Sequence, residues 1–485
     1  MYIRHLKVEH LKRLAAFELD FTHRGAPRMW TVMIGENGTA KTTLLQALAL
    51  AAAGFREVSG LAGPAVKHLR DRRDEAHMFI DATFAFGPQS RKGGKAIHPH
   101  LPSAGEHKPA ELMLRSQVRL DAGATSLDAT AFYGNEPKSR GPDPLAEARS
   151  LNTPLWFVAG YGISRALPDA NEIPALARPS IERLEPLFRQ QRLASTGFAN
   201  HFLEKDRREG RRPGETSRRF SRMLNQAVKL GGDDLFPGLA RLELRGQGGA
   251  RSSTALIESD RFYQVMARGQ DPVSIAGVAL SHGYQSTFAW IADLIGHVLL
   301  ESRTEVTTTE MEGLVLIDEI DLYLHPTWQA RFIPALRRVF PRIQFVATTH
   351  SPIVLSTLAP HEVIRLTVDE QTGDIVQGGW ARGGGQFRPG IQDAEHQPDP
   401  RIMTGGELYR TWFGLEGVTP NPLGEKLRRL QVLSVHPAPT AAQKRELREL
   451  RSSVRRELIQ RLGPTEGKRA FSDIEASREG TGGTS

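Results

Sequence analysis

The sequence predicts an α/β fold organised around a phosphate-binding loop, and three stretches carry that expectation. The apolar run WTVMI (Trp30–Ile34) enters the glycine-bearing turn GENGTAKTT (35–43) and then an alanine- and leucine-rich helix from Lys41 to about Ala53. A second apolar run, GLVLIDEID (313–321), has the continuous character of a buried strand and ends in acids. A third, QFVATTHSP (344–352), closes on a histidine and a turn. In open sheets of such strands, functional groups collect at the carboxyl ends.

At roughly 150 residues per domain, 485 residues allow about three units, or one large domain carrying insertions. The hydrophobic set is 39% and glycines number 46, a composition that supports a sizeable core and is unlike a disordered chain. Cysteine is absent, which excludes disulfides, thiolate zinc sites, iron–sulfur clusters and cysteine nucleophiles. The opening MYIRHLKVEHLKRL lacks the apolar core of a secretory signal, and the longest apolar stretches are too short to span a bilayer. A cytoplasmic protein is expected. Lys and Arg outnumber Asp and Glu by 63 to 55, and the net +8 permits contact with a polyanion without demonstrating it.

In chain order, Ile3, Leu6 and Val8, then Phe17, Leu19 and Phe21, alternate with polar residues as the two half-buried strands of a hairpin do. Strand-like runs recur at FIDATFAF, LMLRSQVRL and LDATAFYG, with a polar loop at 87–108, and PLWFVAGYG (154–162) reads as another buried strand. Residues 164–235 turn mostly helical. Their charge-dense section, 204–222, holds eight Lys or Arg against four Asp or Glu and is broken at Gly210 and Pro213-Gly214. ARLELRG and TALIESDRFYQVMARG return to strand character. SHGYQSTFAWIADLIGHVLL is a helix with Phe288, Ile291, Ala292, Ile295, Val298 and Leu299 on one face, and FIPALRRVF is another.

After Leu366 a Gly- and Asp-rich loop is expected. Thr440 and Gln443 then form a capping box, Leu447, Leu450, Val454, Leu458 and Leu462 follow at helical spacing, and Gly463-Pro464 stops the helix. A disordered tail is expected from about Ser472.

The motifs suggest specific chemistry. Nucleotide phosphates need convergent N–H donors and a compact cation; a turn feeding a helix N-terminus supplies the first, and Lys41 the second. The Thr42 hydroxyl stands where a magnesium ligand is required. Ala40 replaces the second glycine of the common G-x-x-x-x-G-K-[ST] pattern, which is harmless only if that position needs no positive φ. Asp318, at the end of its strand, would lie near magnesium, and Glu319 would be aimed at the γ-phosphate to polarise a water. A buried strand with an acidic turn explains the same letters. In LSHGYQS (280–286), Ser281 and the Gly283 backbone would make a second anion site, or Ser281 is simply a helix cap. His350 can hydrogen-bond a γ-phosphate or serve structurally.

Taken together, this order of motifs resembles the ABC-type ATPase heads of the SMC, RecF and OLD group, most of all the short AAA-domain ATPases of bacterial anti-phage systems. VEHLKRL is similar to that group's first strand, I-x-N-F-R-x-F, and GENGTAKTT to its GxNGxGKST loop. The resemblance covers about 1–53 and 276–366, and WFVAGYGISR (156–165) in part. It implies an α/β P-loop NTPase (ABC-type head) with a mixed central sheet, an antiparallel β subdomain, a helical insertion and a helical C-terminal extension. The corresponding segments are 1–163, 164–235, 236–366 and 367–485.

The resemblance also implies roles. Asn37, Gly38, Ala40, Lys41, Thr42 and Thr43 would bind the phosphates of ATP, with Thr42 and Asp318 holding Mg2+. Glu319 would be the catalytic base and His350 the switch histidine. Lys12 or Arg13 would lie near the adenine or ribose. Ser281 and Gly283 would reach the γ-phosphate bound by a second copy, giving an ATP-gated head-to-tail homodimer of slow turnover. No residue in 161–165 matches the group's Q-loop glutamine.

A transporter ATPase is disfavoured, because LYLHPTWQ follows the acidic pair as in SMC-like heads. Two antiparallel helices of about 35 residues within 164–235 would reach only about 50 Å, a stubby lever or dimerisation element rather than a coiled-coil arm. Asp369, Asp374, Asp393 and Asp399 do not form the paired aspartates of a Toprim nuclease, and His98, His100 and His107 sit in a Gly/Pro loop unsuited to metal. Two functions remain: a regulatory ATPase controlling a partner effector, a nuclease encoded nearby, in anti-phage defence; or a DNA-binding repair or replication ATPase using the 205–222 cluster, which otherwise reads as a solvated helical face.

Overall fold

The computed structural model describes residues 1–71, 73, 76–86, 91–92, 95–96, 112–133, 145, 157–167, 176–244, 260–267, 269–301, 306–380, 387–389, 397–414, 422–435 and 440–479. The chain divides into two compact units, Met1–Leu408 and Tyr409–Ser485.

The expected opening hairpin forms. Strands β1 (Tyr2–Leu11) and β2 (Leu14–Asp20) pair antiparallel from His5–Asp20 to Leu11–Leu14. Their alternate residues Leu6, Val8, Phe17 and Leu19 are buried in one core because side chains two apart share a face. WTVMI forms β3 (Trp30–Ile34), buried throughout, and the next helix is α1 (Lys41–Ala53). The three expected strand runs give β4 (Met78–Phe86), β5 (Leu112–Leu120) and β6 (Asp128–Tyr133). They complete an antiparallel sheet ordered β6-β5-β4-β1-β2.

Strand β7 (Val158–Tyr161) precedes the helical segment, in which the longest helices are α2 (Ala199–Arg208) and α3 (Glu215–Gly231). A three-stranded antiparallel sheet, β8 (Leu239–Glu243), β9 (Arg261–Gln264) and β10 (Val273–Ala276), leads into α4 (His282–Glu301). Then come β11 (Gly313–Ile317), α5 (Pro326–Val339), β12 (Ile343–Thr348), β13 (Val363–Val368), β14 (Ile375–Trp380) and β15 (Phe387–Pro389). The central sheet runs β7-β11-β12-β3-β13-β14-β15. Its first five strands are parallel and the last two antiparallel, the mixed sheet the sequence predicts. Helix α1 packs against both this sheet and the antiparallel one. Of its residues only Thr42 and Gln46 escape burial, and alanine at 47, 49 and 51–53 lets both sheets approach.

Three expectations change. The 164–235 segment is no lever: its two main helices have 10 and 17 residues. They pack on each other and on α4, and α3 also packs on α5. Phe198 stacks on Phe202 and Phe220 meets both at an angle, with Phe198 edge-on to His297 of α4, so burying aromatic area folds the segment against the body. The domain boundary placed at 367 also moves. Strands β14 and β15 extend the central sheet past Leu366, and the compact unit runs to Leu408. Finally, the tail expected to be disordered from Ser472 is helical to Glu479.

The second unit contains α7 (Pro422–Val435), α8 (Ala441–Leu462) and α9 (Pro464–Glu479), while α6 (Gly405–Phe413) spans the junction. Leu423, Val454, Leu458 and Phe471 form its core. The capping box is present: Thr440 N–H donates to Gln443 Oε1 at 2.8 Å and its hydroxyl accepts from Gln443 N–H at 3.3 Å. The expected loop at 87–108, with most of its length and all three of its histidines, lies outside the described residues, as does Asp393. Among the described residues no helix is long and apolar enough to cross a membrane.

Candidate functional site

The parallel strands deliver their carboxyl ends to one edge of the sheet, and a cavity of about 330 Å³ opens there. It is lined by Lys12, Arg13, Asn37, Gly38, Thr39, Ala40, Lys41, Thr42, Thr43, Asp318, Glu319, His350 and Ile375. Eleven of these thirteen positions were singled out from the sequence; Thr39 and Ile375 were not. Three strands supply the groups: β3 the loop, β11 the acids, and β12 the histidine.

The loop turns at Gly38, φ +82°, a left-handed conformation natural for glycine. Ala40, at φ +59° and ψ +19°, is also left-handed, so this position does need the positive φ that the sequence reading hoped to avoid. A methyl group there costs about 1–2 kcal/mol relative to an unstrained backbone. Helix α1 follows at once, and the amides of Lys41, Thr42 and Thr43 lack intrahelical acceptors as first-turn amides must. They give the cavity a positive end. The Lys41 ammonium donates to the Gly35 and Glu36 carbonyls, both at 2.8 Å. Burial holds its pKa below the usual lysine value, against the opposing pull of Asp318, Glu319 and Glu36.

Across the cavity, Asp318 is 6% exposed and accepts two short hydrogen bonds, from Thr42 Oγ1 at 2.7 Å and Thr348 Oγ1 at 2.6 Å. The Thr42–Asp318 contact brings two hard oxygen donors together. Among the described residues there is no cluster of three or more His, Asp or Glu for a metal. A pair of oxygen ligands completed by water and phosphate is how Mg2+ is ordinarily bound, so the donor set fits that ion.

Glu319 stands at φ +45°, left-handed and strained for a residue with a side chain. Its backbone is tied at both ends. Its N–H donates to Thr348 Oγ1 at 2.8 Å, and its carbonyl accepts from Arg165 Nη2 at 2.6 Å. Arg165 is 4% exposed, and burial pushes its pKa down to about 10 despite the neighbouring Asp321, Asp318 and Glu319. Arg165 and Thr348 were missed as functional residues. Both lie inside quoted motifs, GYGISR and ATTHSP, but only the histidine of the second drew attention. His350 lines the cavity, with its pKa lowered by partial burial and then by Lys41.

Lys12 donates to Thr43 Oγ1 at 3.1 Å, which puts its ammonium beside the helix N-terminus; burial lowers its pKa. Arg13 reaches the Gly373 carbonyl at 2.8 Å. Ser281 and Gly283 are not brought to the cavity: neither lines it. The Ser281 carbonyl accepts from Gln285 N–H at 2.9 Å at the start of α4, and Ser281 and His282 are exposed. Gly283 is buried, and a Cβ there would meet the Tyr323 carbonyl at 2.6 Å, so only glycine lets α4 lie on the turn after the acidic pair.

The remaining acids have local duties. Asp369 accepts from Gln371 N–H, Asp374 pairs with Arg73 at 2.6 Å, and Asp399 pairs with Arg401.

Residues 161–356 match the family model described as "AAA domain, putative AbiEii toxin, Type IV TA system". That stretch, about two fifths of the chain, is similar to an AAA domain. Over 475 residues the chain is 24% identical to "Septu protein PtuA" of Bacillus mycoides (strain KBAB4), covering 97% of this chain and 52% of that relative. The chain therefore spans about half that relative's length. It is also 45% identical over 86 residues to "Retron Ec83 probable ATPase" of Escherichia coli, 18% of this chain and 16% of that one. Among solved structures, an SMC head bound to the C-terminal winged-helix domain of ScpA aligns with a TM-score of 0.43 at 13% identity, over 78% of this chain and 98% of that one.

Proposed function

We propose that the chain binds and hydrolyses ATP at the 330 Å³ cavity and that two copies close head-to-tail around the nucleotide to regulate a partner effector in anti-phage defence. The observation that carries it is the meeting of Lys41, the Asp318–Glu319 pair and His350 in one cavity, although they come from three separate strands. Asn37, Gly38 and the first-turn amides of α1 cradle the β- and γ-phosphates, and Lys41 moves from its loop carbonyls onto them. Thr42 and Asp318 would hold Mg2+, which supplies charge neutralisation to the phosphates. Glu319 takes the proton of the attacking water, while His350 donates to the γ-phosphate. Lys12 and Arg13, which also line the cavity, contact the nucleoside.

Ser281 and Gly283 complete the γ-phosphate site of the opposing copy, and hydrolysis, by removing the group both copies hold, loosens the pair. The relatives named for Septu and retron systems support the defence setting and a partner effector. Glu319→Gln tests the chemistry. It should retain ATP binding and ATP-dependent dimerisation, followed by sedimentation, while phosphate release stops. Hydrolysis at the wild-type rate would remove Glu319 as the base.

A further inference from the structure

The positive charge of the chain is concentrated in its second compact unit. Residues 409–485 hold fourteen Lys or Arg and nine Asp or Glu, so this short segment carries five of the eight net charges. Within it, α8 is 22 residues long and buries Val454 and Leu458. At about 100° per residue, Arg451, Lys444, Arg455, Arg448, Arg445 and Arg456 fall in that order on one arc of about 140°, beside the buried stripe. All six are exposed, and no acid lies within the arc.

The three acids of α8 lie outside the arc and are paired. Glu446 is paired with Arg429 of α7 at 2.7 Å, and Glu457 with Lys426 at 3.0 Å and Arg461 at 2.7 Å. Glu449, at the edge of the arc, pairs with Arg445 at 3.2 Å. Lys444, Arg455 and Arg456 make no ion pair among the described residues. A helix needing only solubility would intersperse both signs; here α7 cations engage Glu446 and Glu457, Glu449 meets Arg445, and Lys444, Arg455 and Arg456 keep the arc strongly positive.

The cluster at 204–222 behaves differently. Lys205 is 4% exposed and donates to Glu209 and to the Leu300 carbonyl; Arg211 also pairs with Glu209, and Arg219 with Glu215. Much of its charge serves the fold.

We propose that the basic arc of α8 binds the phosphodiester backbone of duplex DNA without reading its sequence. From Lys444 to Arg456 the helix rises about 18 Å, which faces about five phosphates of one strand at 3.4 Å each. No aromatic side chain lies on the arc to stack an unpaired base, which argues against a single strand. An α-helix fits the wide major groove of B-form DNA and not the narrow one of A-form RNA. A membrane surface would require a broad apolar face with Trp, Phe or Leu beside the cations, and the core-facing stripe of α8 is already buried.

The test is fluorescence anisotropy of a labelled random-sequence DNA duplex with the full chain, without nucleotide, between 50 and 200 mM KCl. With about five contacts, log K should fall with log salt at a slope near −4.5, or about 500-fold over that range. Arg448→Gln/Arg455→Gln/Arg456→Gln should reduce the slope to about −2, or about 12-fold, with ATPase rate unchanged. Glu449→Lys, which widens the arc, should tighten binding and steepen the slope by about one. The variant Arg207→Gln/Arg208→Gln/Arg212→Gln should bind as wild type does. The proposal is overturned by absent or salt-insensitive binding, by an unchanged slope in the α8 triple variant, or by equal affinity for an RNA duplex or anionic vesicles.

Discussion

Arg165 offers the sharpest test of how the site is held. Glu319 occupies a left-handed backbone conformation that costs about 1–2 kcal/mol. The hydrogen bond from the Arg165 guanidinium to its carbonyl, at 2.6 Å in a buried setting, is of the charge-assisted kind worth about 1.5–3 kcal/mol. With about 2 kcal/mol for the bond and about 1.5 for the strain, the poised conformer is favoured by about 0.5 and is populated at about 70%. Removing the bond leaves it disfavoured by about 1.5 kcal/mol, at about 7%, so kcat should fall about tenfold in Arg165→Met. The full 2 kcal/mol sets a ceiling of about 30-fold, and the Thr348 tether on the Glu319 amide moderates the loss. Arg165→Lys, which keeps a donor, should recover part of the rate. Steady-state ATPase kinetics and fluorescent-nucleotide titration separate the terms: kcat drops while ATP affinity stays within about twofold. An undiminished kcat, or an affinity loss that tracks the rate loss, would refute the positioning role.

Two further expectations concern backbone and burial. Ala40→Gly should stabilise the loop by about 0.5–1 kcal/mol, the relieved left-handed strain less the extra freedom of an unfolded glycine. Gly38→Ala should act oppositely by a similar amount, because a Cβ there meets nothing within 4 Å and only φ objects; the midpoint of thermal unfolding reads both. Asp293 accepts from Tyr161 Oη at 3.1 Å and Ser195 N–H at 3.2 Å, and faces His297 on its own helix at 3.6 Å. Burial raises its pKa from 3.8 to about 6. The folded value is the higher one, so its contribution is complete below 3.8 and is lost as pH rises through about 6. Relative to wild type, Asp293→Asn should therefore gain about 2 kcal/mol in unfolding free energy between pH 4 and 8, measured by denaturant titration.

Much of the site was legible because its signals are local. A buried strand, a turn that needs glycine, and a helix that begins with Lys41 are written in adjacent letters, and the same holds for the acids that end β11. The order of these pieces along the chain then carried the topology, since parallel strands put their ends on one edge. What escaped depends on conformation or distance. Nothing in the letters of Ala40 or Glu319 specifies a positive φ, because glycine is the only residue type that advertises it. Arg165 acts on a carbonyl 154 residues away, and its charge is explained only by the acids that fold beside it. The 164–235 segment has helical periodicity in either a lever or a folded-back pair. Its aromatic residues decide between them only once α4 supplies a surface for them. The last helix was missed because its apolar anchors are few: Phe471, with Ile474 packed against the same cluster, joins it to Val454 and Leu458.

The orientation of the α4 N-terminus leads to the final prediction. Ser281 and His282 are exposed and do not line the cavity, while Gly283 is fixed against the Tyr323 carbonyl. An anion-binding helix end that cannot serve its own cavity can serve that of another copy, and two such surfaces related by a twofold axis close two sites at once. Lys41→Ala should disable the site built on its own loop, and Ser281→Arg the site of the opposing chain. Each homodimer is then inactive. In a mixed dimer, the intact loop of the Ser281→Arg chain meets the intact helix end of the Lys41→Ala chain, giving one whole site and one doubly damaged. Random exchange makes half the dimers mixed, each with one of two sites, so about a quarter of wild-type ATPase activity should return on mixing. Recovery must appear only after subunit exchange and must depend on total protein concentration. A Ser281→Arg chain that hydrolyses ATP normally by itself would mean that the cavity is complete within one copy.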